Sequence, residues 1–127
     1  MVKEEPVELS IDFDEPDVAP VSTVIGLLRG MYPDGRVLVR QSSSGEGWHV
    51  YLQGIWFHPD DAMRLRAKLG DCEGRLAVDS LRREAGLTTS TLFGTKAKIE
   101  NDRLVVKNAG EWMTSDKWLE RYGGIPI

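Results

Sequence analysis

Two aspartates near the start of the chain stand at a spacing that suits the binding of a cation. Asp12 and Asp14 belong to the run "VELSIDFD", in which apolar and polar residues alternate as in a half-buried strand. Residues two apart on a strand point to the same side and lie about 7 Å apart, so the two carboxylates would repel each other. A divalent cation between them would offset that repulsion, because carboxylate oxygens are ligands that Mg²⁺ and Mn²⁺ prefer. The alternative is a solvated strand face.

The elements that would position these carboxylates follow from the spacing of apolar residues along the chain. Alternation predicts strands over 7–14, 36–41, 48–54 and 74–79. Apolar residues three and four apart, together with capping residues, predict helices over 17–32, 58–70, 80–86 and 114–123. A second hairpin is expected over 90–112, with its turn at "END".

The order of these elements predicts an α+β fold, with residues 1–127 forming one domain. Residues 7–80 match βαββαβ, the RRM-like (ferredoxin-like) core, which has an antiparallel sheet with helices on one face. Residues 81–127 form a C-terminal extension with an extra hairpin and helix. In the strand over 74–79, Leu76 and Val78 are expected to pack inward. Strand parity places these polar residues on the open face of the sheet: Asp12, Asp14, Arg40, His49 and Asp79.

Three short motifs along this core resemble those of a known enzyme superfamily. They are "SIDFD", then "SSSGEGWH", then "LAVD", and they occur in this order between Val7 and Ser80. The set resembles the three motifs of the archaeo-eukaryotic primase superfamily, whose catalytic core is RRM-like. The resemblance implies a minimal primase-polymerase, a metal-dependent nucleotidyltransferase that joins nucleoside triphosphates on a single-stranded DNA template in replication or repair.

The resemblance also implies a role for each motif residue. Asp12, Asp14 and Asp79 would be the catalytic and metal-binding carboxylates, holding two divalent cations, Mg²⁺ or Mn²⁺. His49 would contact the phosphates of the incoming nucleotide. Independently of the family, the loop before His49 offers hydroxyls and backbone N–H groups that could bind a phosphate. Arginine and lysine side chains could contact the triphosphate or the template backbone. The remaining candidate nucleotide-binding residues are Ser42, Ser44, Arg40 and Lys96.

Primases of this superfamily usually carry an additional N-terminal αβ module that helps to hold the template. Here the first motif begins near residue 9. Three forms of the protein are therefore consistent with the resemblance: a minimal primase-like protein, a subunit that depends on a second replication subunit as its partner, and a relative that keeps the site without the activity.

Each motif also has a simpler interpretation. Asp79 is equally suited to capping the helix predicted over 80–86, and His49 could be a packed strand histidine. For the whole chain, the alternatives are a non-catalytic RRM-like module that binds nucleic acid or protein, and a metal-dependent nuclease that uses the same carboxylates.

Composition narrows the class of protein. The 127 residues carry a net charge of −4, which weighs against a passive nucleic-acid binder. The single cysteine, Cys72, excludes an internal disulfide and a multi-cysteine zinc site. No apolar run approaches the roughly 20 residues that cross a bilayer, so we expect a cytoplasmic protein with no membrane partner. The four tryptophans are expected in the core or in interfaces rather than as base-stacking residues: Trp48, Trp56, Trp112 and Trp118.

Overall fold

The computed structural model describes residues 5–87 and 95–123, except for the side chains of residues 95–98 and 100. The helices are α1 (Ala19–Met31), α2 (Pro59–Leu69), α3 (Glu73–Glu84) and α4 (Ser115–Arg121). The strands are β1 (Val7–Phe13), β2 (Arg36–Gln41), β3 (Trp48–Phe57), β4 (Thr95–Glu100), β5 (Arg103–Asn108) and β6 (Met113–Thr114).

Four of these strands form one antiparallel sheet, in the order β1-β3-β2-β6. The fold is therefore α+β, and the sheet is compatible with a ferredoxin-like core. Strands β4 and β5 form a separate hairpin, as the sequence predicts. Its turn places Asn101 and Asp102 at positive φ, 50° and 61°, a conformation that Asn and Asp tolerate better than most residues.

The core lies on one face of the sheet. Apolar residues at alternate positions of β1, β2 and β3 point to this face, where α1 supplies its buried stripe of Val21, Val24, Ile25 and Leu28. Ala62 of α2 and Trp118 of α4 join the same cluster. Trp118 is fully buried and packs edge-on against Trp48, with ring centroids 5.5 Å apart. The C-terminal extension thus contributes to the core.

The strand predicted over 74–79 is wrong, because these residues belong to α3. The predicted exposure is also reversed: Val78 is 54% exposed, whereas Asp79 is fully buried. Helical geometry puts residues four apart on the same side, so Arg75 and Asp79 both turn inward. In α3 they face the charged groups of Arg66 and Asp71. Pairing of these charges, rather than burial of two apolar side chains, determines the local structure.

The connection from α2 to α3 closes the outer edge of β1, at the place where a further strand could pair. The backbone N–H of Asp12 donates to Asp71 Oδ1 at 2.7 Å, and the N–H of Cys72 donates to the Asp12 carbonyl at 2.9 Å. Arg75 Nη1 donates to the carbonyl of Ser10 at 2.9 Å. These bonds satisfy outward-facing backbone groups of β1 without a ladder of strand hydrogen bonds.

Candidate functional site

Three of the predicted site residues meet in a row across the polar face of the sheet. Asp12 of β1 lies opposite His49 of β3, and His49 lies opposite Arg40 of β2. Because the register is shared across the three strands, all three side chains lie on the face away from the core, as strand parity predicts. Asp14 follows directly after β1 and is exposed.

His49 is the buried centre of this row, with a side chain only 6% exposed. Its Nδ1 accepts a hydrogen bond from Arg40 Nε at 3.0 Å, so the ring proton of the neutral imidazole is on Nε2, which lies 3.6 Å from Asp12 Oδ1. Burial, and then the charges of Arg40 and Arg75, lower the pKa of His49 to about 4. The imidazole is therefore neutral at pH 7.

The pKa of Asp12 shifts in the opposite direction to that of His49, because burial favours the neutral form of each group. Burial raises the pKa of this carboxyl to about 6, and the neighbouring charge of Asp14 adds to the rise, while Arg75 opposes it. Burial first, and then the neighbouring carboxylate of Asp14, raise the pKa of the Cys72 thiol. An ionised Asp12 beside Asp14 is a strained arrangement that a cation would relieve.

Asp79 does not join this pair of carboxylates. Its Oδ2 accepts from Arg66 Nη1 at 2.8 Å, and Arg66 Nε donates to Asp71 Oδ2 at 2.6 Å. The Arg66, Asp71 and Asp79 side chains are at most 4% exposed. Within the described residues, no three His, Cys, Asp or Glu side chains are arranged to hold a metal ion. The three carboxylates predicted to bind two cations are therefore not brought together, because Asp79 pairs with Arg66 while Asp12 and Asp14 lie at the end of β1.

Several hydrogen bonds of the loop before His49 lie within the loop, and the Gly45 carbonyl also accepts one from Gln41 Nε2 of β2 at 3.0 Å. The hydroxyls of Ser42 and Ser44 lie 3.0 Å apart, and Ser44 Oγ accepts from the N–H of Glu46 at 3.2 Å. The N–H of Gly45 donates to the Ser42 carbonyl at 3.0 Å. A phosphate at this loop would have to replace some of these bonds. Lys96 falls in β4, and its side chain lies outside the described residues.

Sequence reasoning missed two residues that shape the site. Arg75 binds Ser10 through both the carbonyl and the hydroxyl, at 2.9 and 2.7 Å, and so reaches the polar face from α3. The four-residue spacing of Asp71, Arg75 and Asp79 could have indicated it, because oppositely charged residues four apart are typical of a paired helix face. Trp112 lies over the opposite end of the row, with the Arg40 guanidinium carbon 4.3 Å from its ring centroid.

A cleft of about 470 Å³ opens beside Asp12 and Asp14. Its lining includes the exposed carboxylates of Glu15, Asp17 and Glu73 as well.

Comparison of the chain with protein-family models, with curated proteins and with solved structures gives no match. Across residues 5–87 and 95–123, no helix has the length and apolar character needed to cross a membrane.

Proposed function

We propose that this protein is a nucleotidyltransferase of primase-polymerase type, which binds a nucleoside triphosphate with one divalent cation at Asp12 and Asp14. The observation that carries the proposal is the row of Asp12, His49 and Arg40 on one face of the sheet. Asp12 and His49 come from the first two motifs, and Arg40 comes from β2, just before the second motif. The template strand, the second subunit and a role in replication or repair belong to the proposal as well.

Each residue of the row has a distinct part in the proposed reaction. Asp12 and Asp14 would hold Mg²⁺ or Mn²⁺, which offsets charge on triphosphate oxygens when it is bound. Arg40 uses Nε to bind His49, and its Nη groups can face a phosphate. His49, being buried and neutral, orients Arg40 and Asp12 rather than binding a phosphate directly. Asp79 is assigned to the fold, because its carboxylate is paired with Arg66.

The test is binding of a labelled nucleoside triphosphate with and without Mn²⁺. Wild type should bind only with Mn²⁺, and the Asp12→Asn/Asp14→Asn variant should lose that binding. The matched control is Glu15→Gln/Asp17→Asn, which removes the same charge from the lining of the same cleft and should bind as wild type does. Equal binding by both variants contradicts the proposal. Metal-dependent binding would be followed by a primer-extension assay.

The burial of Asp79 favours a second candidate, a nucleic-acid-binding module without catalysis. In that case the polar face binds no cation, and Asp12 and Asp14 are its solvated margin. Asp12→Asn should then leave nucleic-acid affinity unchanged or raise it, because it removes a negative charge near the ligand. In the enzyme, the same substitution abolishes nucleotide incorporation.

A further inference from the structure

A second cleft lies at the opposite edge of the sheet from Asp12 and Asp14, where β2 pairs with β6. It is formed by β2, by residues 110–114 and by α4, and its volume is about 580 Å³. We call it the β2-edge cleft and define it by six of its lining residues: Arg36, Glu111, Trp112, Lys117, Arg121 and Tyr122.

The β2-edge cleft is positively charged although the whole chain has a net charge of −4. Arg36, Lys117 and Arg121 oppose the single carboxylate of Glu111. All three cations are exposed, and none of the carboxylates that the structure describes lies within ion-pair distance of them. Other exposed arginines differ: Arg29 pairs with Asp116 at 2.9 Å. Unpaired cations in a cleft favour an anionic ligand.

Two aromatic rings of the cleft are fixed in place and partly open. Trp112 is 37% exposed and packs against Arg40 and against Tyr51, whose ring centroid is 5.7 Å away. Tyr122 is 38% exposed and packs against Trp48, with a centroid distance of 5.0 Å. A ring that is already immobilised loses little conformational entropy when a ligand stacks on it. The exposed parts of both rings are therefore accessible to a flat ligand.

We propose that the β2-edge cleft binds single-stranded nucleic acid. Its phosphates would contact Arg36, Lys117 and Arg121, and its bases would stack on Trp112 and Tyr122. A single strand offers both regularly spaced anions and unpaired flat rings. Inorganic phosphate would use only the cations, and the bases of a duplex already stack on one another. The proposed function includes a template strand without assigning it a place, whereas this inference assigns a separate binding site at the β2-edge cleft. Binding there needs neither a divalent cation nor nucleotide transfer, so it can be tested independently of the proposed reaction.

The experiment is fluorescence anisotropy with a labelled oligothymidylate in EDTA, over a range of salt concentrations. Arg36→Gln/Arg121→Gln should reduce affinity at least tenfold, and the slope of log K against log[salt] should become shallower by about 1.4, since each single-strand phosphate contributes about 0.7. Trp112→Leu should lower affinity about 5- to 150-fold, the range for loss of one stacked base. The matched control, Arg29→Gln/Arg64→Gln, removes two exposed charges elsewhere and should stay within about twofold of wild type.

Several outcomes would overturn the inference. One is a wild type that does not bind the oligonucleotide. Another is an equal loss of affinity in the cleft variant and in the control. In a third, Arg36→Gln/Arg121→Gln loses oligonucleotide affinity but Trp112→Leu does not, and inorganic tripolyphosphate or polyglutamate competes as well as unlabelled oligonucleotide does. That result would indicate a general anion site. Far-UV circular dichroism verifies that each variant is folded. Asp12→Asn/Asp14→Asn should retain this binding, so failure of the proposed function and failure of this inference are separable.

Discussion

The substitution Asp79→Asn tests whether this carboxylate stabilises the fold or binds a cation. Asp79 and Arg66 form a pair whose side chains are 0% and 4% exposed, with Nη1 and Oδ2 2.8 Å apart. Removal of one partner from such a pair typically costs about 3–5 kcal/mol, because the other charge stays buried. Asp71 still pairs with Arg66 at 2.6 Å, so we expect the lower end, about 3 kcal/mol. The total free energy of unfolding of a domain of this size is roughly 6–19 kcal/mol.

Urea denaturation at pH 7 without metal, followed by tryptophan fluorescence, measures this loss. The melting temperature should fall by roughly 10–20 °C. The control is Asp14→Asn, an exposed aspartate that should change stability by no more than about 0.5 kcal/mol. If Asp79→Asn unfolds at the same urea concentration as Asp14→Asn, the ion pair does not hold α3, and the structural assignment of Asp79 is wrong.

Three further predictions concern the polar row and the turn beside it. The His49 ring should titrate near pH 4 in a proton NMR experiment, and Arg40→Met should raise this pKa without reaching 6.5, because burial is the larger cause; a wild-type value near 6.5 would contradict the buried contact. The Asp12 carboxyl has a pKa of about 6 in the folded state against an ordinary value of 3.8, so the folded state holds this proton more tightly and Asp12 lowers stability as pH rises from about 4 to about 6. Asp12→Asn should therefore stabilise the protein more at pH 7 than at pH 4, and an equal effect in urea denaturation at both values would count against it. Gly47→Ala should destabilise by about 1–3 kcal/mol, because the added Cβ would lie 2.1 Å from the Phe13 carbonyl oxygen; an unchanged melting temperature would refute this.

Most of the fold follows from hydrophobic periodicity. The first strand alternates over seven residues, and its burial follows the same alternation. Helical spacing predicts a buried face of five apolar residues between 19 and 31. The helix buries Val21, Val24, Ile25 and Leu28, whereas the fifth, Met31, is 48% exposed. Given those strands, parity alone brings Asp12, His49 and Arg40 to one face, because a shift of one residue would bury all three polar side chains in the core.

The run from residue 74 to 79 could not be assigned in this way. Leu76 and Val78 are two residues apart, which is the spacing of a strand face, so the apolar pattern of this short run favours the wrong element. What decides between strand and helix is Arg66, which lies in another helix and pairs with Asp79. A charged residue gives no sign in the sequence that it will be buried until the position of its partner is known.

The β2-edge cleft was beyond sequence reasoning for a related reason. Strand β6 has only two residues and pairs Leu38 with Thr114, too short a stretch for a periodic signal. Yet this pairing fixes the place of the neighbouring Trp112 next to Arg40. The contact depends on tertiary structure, so the tryptophan could not be assigned to the polar face from its local sequence.

The closed edge of β1 has a consequence for how this protein behaves in a crowded solution. An open edge strand is a template on which a strand from another molecule can add, which is one route to aggregation. Here the groups that block such addition come from Asp71, Cys72 and Arg75. During synthesis, the first three strands emerge before these residues do. Until the segment from 71 to 75 has docked, the nascent sheet presents an unprotected edge, so we expect the hydrogen bonds of this segment to limit strand addition as well as to stabilise the fold.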